Sequence, residues 1–117
     1  MKENQPKVRF SHIGSALRAE ITGEIDHHTA KPIREEIDRQ IYAHTPKEVT
    51  LSLSGVGFMD SSGLGLIVGR LVTAKEVGCS LTLTGVAPRM MKIFEMAGLE
   101  RMRGLTIKTS EEKRKSE

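Results

Sequence analysis

Apolar and polar residues alternate cleanly over residues 16–23. Leu17, Ala19 and Ile21 share one face, and Arg18, Glu20 and Thr22 share the other, as in a half-buried strand. Val8 and Phe10 mark a shorter strand just before it, and a hairpin turning near Gly14 and Ser15 joins the two. The period then lengthens. Ala30, Ile33, Ile37 and Ile41 recur every three or four residues, which predicts an amphipathic helix. Asp26 and Thr29 both suit its cap. Pro32 confines the helix start to its own neighbourhood, because proline is tolerated only in the first turn. The end falls near His44 and Pro46.

Val49, Leu51 and Leu53 give the clearest strand, over residues 47–55. Residues 54–60 read as a loop. After it, Leu64, Ile67, Val68, Leu71 and Val72 predict a second helical stripe. Leu81 and Leu83 mark another strand, and Pro88 and Gly98 bracket a short third helix. A last strand is expected within residues 101–107. Strands alternating with helices favour a largely parallel sheet, and the opening hairpin makes it mixed. The expectation is a single α/β domain with a mixed four- to five-stranded sheet packed with about three to four helices. Its ordered core spans about residues 7–108 between mobile ends.

Composition narrows the class. The 117 residues suit one domain, and 38% apolar against 28% charged reads as globular. Aromatics are only 3% and tryptophan is absent, so the core must be aliphatic. Net charge is +3, but much of the excess lies near the ends, at Lys2, Lys7, Lys113, Arg114 and Lys115. With so few aromatics to stack bases, nucleic acid is not the expected partner. One cysteine, Cys79, allows no internal disulfide. No apolar run is long enough for a bilayer, and residues 1–7 carry no apolar signal region. A cytoplasmic protein that does not engage membranes is expected.

The chemistry concentrates in Asp60-Ser61-Ser62-Gly63-Leu64-Gly65. A hydrolase elbow needs a glycine two residues before its serine, and neither Ser61 nor Ser62 has one. His27 and His28 supply imidazoles, but no residue clearly orients either as a base. A phosphate-binding loop needs a lysine after its second glycine, and none is present. Gly55 and Gly57 begin a dinucleotide pattern that Asp60 breaks. Two readings remain. Asp60, Ser61 and Ser62 are all good helix caps. A serine at a helix start is also open to a kinase, and the added charge of roughly −2 suits the helix dipole while changing the surface sharply. Gly63, Gly65 and Gly69 each cost about 1 kcal/mol against alanine in a helix. They imply a close approach, either of the helix to its own sheet or of another protein to the helix start.

The segments Gly23-Glu24-Ile25-Asp26-His27-His28-Thr29-Ala30 and Leu53 through Arg70 resemble the anti-sigma factor antagonists of sporulating bacteria, in the STAS domain family. The stretch from Ile93 to Leu99 resembles that family's closing helix. The resemblance covers nearly all the chain apart from its tails. It implies a regulatory binding protein rather than an enzyme. Unphosphorylated, such a protein binds an anti-sigma factor that is itself a serine kinase, and so frees the sigma factor for sporulation-type transcription. The kinase phosphorylates the first serine after the aspartate, here Ser61, and the complex separates. A serine phosphatase of the PP2C type restores the hydroxyl. No cofactor is implied.

The docking surface expected from this resemblance comprises Asp26, His27, His28, Thr29, Asp60, Ser61, Ser62, Gly63 and Gly65. Parallel sheets gather functional loops at the C-terminal ends of their strands, so residues 26–29 are expected to border Ser61. Competing with that is a purely local role for Asp26 as a helix cap. Two other functions are carried: a nucleotide-hydrolysing or nucleotide-binding enzyme with the serine as a transient phosphate carrier, and a STAS subunit of a stress-signalling assembly. Metal is rejected, because adjacent histidines on a helix diverge by about 100° and zinc wants spaced His and Cys ligands. Cys79 is expected to be a small half-buried hydrophobe. Met90, Met91 and Met96 are assigned to the core face of the third helix.

Overall fold

The computed structural model describes residues 7–109. The expected mobile ends fall outside them. Five strands form one sheet in the order β1-β2-β3-β4-β5. β1 (Lys7–Ile13) and β2 (Ala16–Ile25) make the antiparallel hairpin, turning at Gly14 with φ +58°. β3 (Glu48–Met59), β4 (Ser80–Val86) and β5 (Leu105–Thr109) then add in parallel. The crossovers are α1 (Ala30–His44), α2 (Ser61–Glu76) and α3 (Pro88–Met96), with a 3-10 turn at Leu99–Arg101.

One sheet face is dry. Leu17, Ala19, Ile21, Val49, Leu51, Leu53, Leu81 and Leu83 are buried on it, with Ile33, Ile37 and Ile41 of α1 and Ile67 and Leu71 of α2 in the same core. The alternate positions Arg18, Glu20, Thr50, Thr82 and Thr84 remain half-buried or exposed. The aliphatic alternation therefore sets which face the helices cover.

Three expectations change. The loop assigned to residues 54–60 is mostly strand: β3 runs on to Met59. Two irregularities break the register with β2, so that Glu20 and Thr22 face Ser52 and Gly55, and Gly23 and Glu24 face Val56 and Phe58. Each inserts an extra β3 residue, and such bulges shift the period-two signal. Gly55 sits where a Cβ would press on Thr22. The stripe of α2 is also rotated and broader than the sequence suggests. Leu66, Ile67, Leu71 and Ala74 are buried, as are Arg70 and Thr73, whereas Val72 is 54% exposed. The helix packs against both the sheet and α1, so the neighbours, more than the apolar pattern, choose its buried faces. On α3, Met90 and Phe94 are buried and Met91 is half-buried, but Met96 is 88% exposed at the helix end. Met96 is no core residue.

Two ties hold α1 to α2. Arg70 Nε lies 2.8 Å from Asp38 Oδ1, bent out of hydrogen-bond alignment, and Arg70 is 5% exposed. Burial pulls the Arg70 pKa down while the Asp38 carboxylate pushes it back up. An arginine keeps its charge under such opposed influences. Nearer the C-terminal ends, the Tyr42 hydroxyl donates to Glu76 Oε1 at 2.8 Å. Cys79 is a buried free thiol, more enclosed than expected, and burial raises its pKa.

Candidate functional site

The strand ends bring the two quoted segments together. Ile25 of β2 pairs in register with Met59 of β3. The chain leaves both strands at an aspartate, and the Asp60 N–H donates to the Ile25 carbonyl at 3.1 Å. The turn 26–29 and the start of α2 are thus neighbours, as expected from parallel strands that share a C-terminal edge.

Each aspartate organises its own segment. Asp60 is the N-cap of α2; its carboxylate accepts from the Ser62 N–H at 2.8 Å, and its carbonyl from the Gly63 N–H at 2.9 Å. Asp26 does not cap α1 from the N-cap position, which belongs to Thr29. Its carboxylate accepts from the N–H groups of His28 at 2.9 Å and Thr29 at 3.1 Å. Thr29 returns the contact: its Oγ1 accepts from the Asp26 N–H at 2.9 Å and donates to the Glu24 carbonyl at 3.0 Å. This reciprocal pair has the logic of a capping box. The Thr29 N–H, opposed by desolvation and aided by the His28 N–H, holds the Asp26 carboxyl below its ordinary pKa.

Ser61 is the first residue of α2 and is exposed. Among the described residues its hydroxyl has no hydrogen-bond partner. Ser62 is half-buried. It lines a groove of about 340 Å³ together with His27, Lys31, Arg34, Gly65 and Leu66. Gly65 has open space where a Cβ would stand, so a partner has room to approach there. Gly63 is different. It is buried, and a Cβ on it would overlap the Met59 side chain. Its smallness seats α2 on β3, the first of the two close approaches expected of these glycines. The expected divergence of His27 and His28 is corrected. They lie in the turn ahead of α1, and their rings meet with centroids 3.9 Å apart. Among the described residues, no three His, Cys, Asp or Glu side chains cluster as a metal site. No described helix is long and apolar enough to cross a membrane.

The sequence reading missed an apolar surface on the other side of this edge. A groove of about 520 Å³ lies between the end of β3 and α3, lined by Val56, Phe58, Ala87, Pro88, Met90 and Ile93 among others. Phe58 is 52% and Ile93 41% exposed. The signal was present in the position of Phe58, one residue before Met59 and therefore on the opposite side of the strand. The bulges hid it.

A family model for the STAS domain matches residues 7–113. The chain belongs to the STAS domain family. The anti-sigma F factor antagonist of Paenibacillus polymyxa is 33% identical over 93 residues, covering 80% of each chain. The anti-sigma-B factor antagonist of Bacillus subtilis (strain 168) is 31% identical over 93 residues, 80% of this chain and 84% of that one. The STAS fold here also superposes on solved structures. The unphosphorylated anti-sigma factor antagonist SpoIIAA aligns with TM-score 0.73 at 27% identity over 91% of both chains. The phosphorylated form of the Bacillus cell fate determinant SpoIIAA aligns with TM-score 0.68 at 27% identity, covering 94% of this STAS chain and 98% of that one.

Proposed function

We propose that this STAS protein is an anti-sigma factor antagonist switched by phosphorylation of Ser61. The observation that carries the reading is an exposed Ser61 hydroxyl without a hydrogen-bond partner among the described residues, at the first position of a capped helix and beside the Asp26–Thr29 turn. Relatives named as anti-sigma F and anti-sigma-B factor antagonists support it. So does a similar protein solved with and without phosphate.

In this reading the unphosphorylated edge docks on an anti-sigma factor that is a serine kinase, and the sigma factor is released. Asp26, His27, His28, Thr29, Asp60, Ser61, Ser62 and Gly65 contribute the polar part of the contact, and Phe58 the apolar part. The kinase then transfers the γ-phosphoryl group of ATP to Ser61 Oγ. ADP leaves, and the hydroxyl proton goes to a base on the kinase. The α2 N-terminus accommodates the new charge through its free N–H groups and dipole. The fold survives while the surface potential inverts locally, and the partner lets go. A PP2C-type serine phosphatase resets the switch. The chain itself acts as a cytoplasmic binding protein, not an enzyme.

The test is phosphosite mapping after incubation with ATP and the purified anti-sigma factor kinase, with Ser61→Ala and Ser61→Asp alongside. Phosphate on Ser61, absent from Ser61→Ala, together with lost kinase binding by Ser61→Asp, is expected. Phosphate on Ser62 alone would move the switch by one residue. Failure of the unmodified protein to bind the kinase would defeat the antagonist reading.

A further inference from the structure

We propose that the groove between the first turns of α1 and α2 is an anion-receiving subsite for acidic side chains of the anti-sigma factor kinase. This deepens the antagonist reading and rests on it. The α1 wall carries Lys31 and Arg34, and His27 stands at the mouth. The α2 wall supplies Ser62, Gly65 and Leu66, so among the described residues no carboxylate lines the groove.

The acidic residues nearby keep their charge but each already has a partner. Asp26 and Asp60 accept backbone N–H groups. Asp38 is paired with Arg70, and Glu35 lies 4.0 Å from Lys31 on the exposed face of α1. Arg34 is close enough to Arg70 to disfavour its charge, yet it forms no ion pair among the described residues. Neither α1 nor α2 has an acidic residue in its first turn. The Asp60 and Asp26 carboxylates already accept N–H groups at these two helix starts, so the positive character of the groove rests on the Lys31 and Arg34 side chains that line it. A groove of about 340 Å³ with an open floor at Gly65 accepts carboxylate side chains without rearrangement.

The location gives the subsite a part in the switch. Ser62 lines the groove and Ser61 is its neighbour. A phosphate on Ser61 places roughly two negative charges at the rim. There it repels acidic partner residues and competes with them for Lys31 and Arg34. Release after phosphorylation then follows from like-charge repulsion, with no change of fold.

The experiment measures binding of the intact protein to the purified, ADP-bound anti-sigma factor kinase as a function of salt. Lys31→Glu/Arg34→Glu is compared with Arg103→Glu/Lys108→Glu, a control with the same net-charge change at and just before β5. Thermal unfolding of each variant verifies that it is folded. The groove variant is expected to bind about tenfold or more weakly at about 0.05 M salt, mainly through slower association. The deficit should shrink near 0.5 M, and the control should bind normally. Equal affinity and equal salt dependence of groove variant and wild type would overturn the subsite while leaving the antagonist reading intact. An equal loss in the control would overturn it too, by assigning the effect to net charge. Wild-type protein that does not bind the kinase at all would defeat both.

Discussion

The Asp60 N–H donates to the Ile25 carbonyl at 3.1 Å, one residue beyond the point where Ile25 and Met59 pair across parallel strands. That bond carries the sheet register past the end of β3 and into the start of α2. It sets Ser61 beside the Asp26–Thr29 turn with the accuracy of a strand pair, although the two segments are far apart in sequence. For the proposed docking role, an edge tied by such a bond would lower the ordering cost of association.

The seat of α2 on β3 depends on Gly63 lacking a side chain. Gly63→Ala should destabilise the protein by about 1–3 kcal/mol, since Met59 is buried and cannot swing into solvent. Met59→Ala alone should cost about 2–5 kcal/mol through the cavity it leaves. In the Met59→Ala background, Gly63→Ala should cost almost nothing, because the overlapping atoms are gone. Urea unfolding of the four proteins in this cycle measures the coupling.

Asp38→Ala strips the partner from a buried guanidinium. The expected loss is about 3 kcal/mol, at the low end for an orphaned buried charge because Asp38 is partly exposed. Asp38→Ala/Arg70→Met should recover most of it by removing the stranded charge as well. If chemical denaturation gives the double variant the same stability as Asp38→Ala, the ion pair is not what ties α1 to α2.

The depressed pKa of Asp26 gives a signed acid response. Folding favours the ionised carboxylate, so its contribution is present above the unfolded value of 3.8. It is lost as pH falls below that value and through the lower folded one. Asp26→Asn keeps an acceptor for the turn but does not titrate. Its stability should therefore fall less than the wild type's between about pH 5 and pH 3. Parallel slopes in thermal melts over that range would remove Asp26 from the acid response.

Phe58→Ala separates docking from folding. Phe58 is 52% exposed, so its truncation should change stability by about 0.5 kcal/mol or less. As an aromatic anchor three residues before Ser61, its loss should weaken kinase binding by about 1–2 kcal/mol, read by calorimetry. Unchanged affinity would place the apolar groove outside the interface.

Element order, the hairpin, the aliphatic face of the sheet and the helix that begins at Ser61 were all legible in the chain. Local periodicity and capping chemistry encode them within a few residues. The same local chemistry marked Asp60, Ser61 and Ser62 as cap or switch residues, and only the family resemblance preferred Ser61. What the sequence could not resolve depends on contacts between distant segments. The two bulges of β3 exist only relative to β2, and they turned a strand into an apparent loop. Gly63 and Gly65 are alike in sequence and two residues apart on one helix. The tertiary structure gives one to Met59 and leaves the other open, because only one of them faces the sheet. Lys31 and Arg34 carry no signal in the sequence, and they line a groove only because α2 lies alongside α1. A sequence specifies which residues can cap, alternate or carry charge. Which of them meet across the fold is decided by register and packing, where single residues dozens of positions apart come within contact distance.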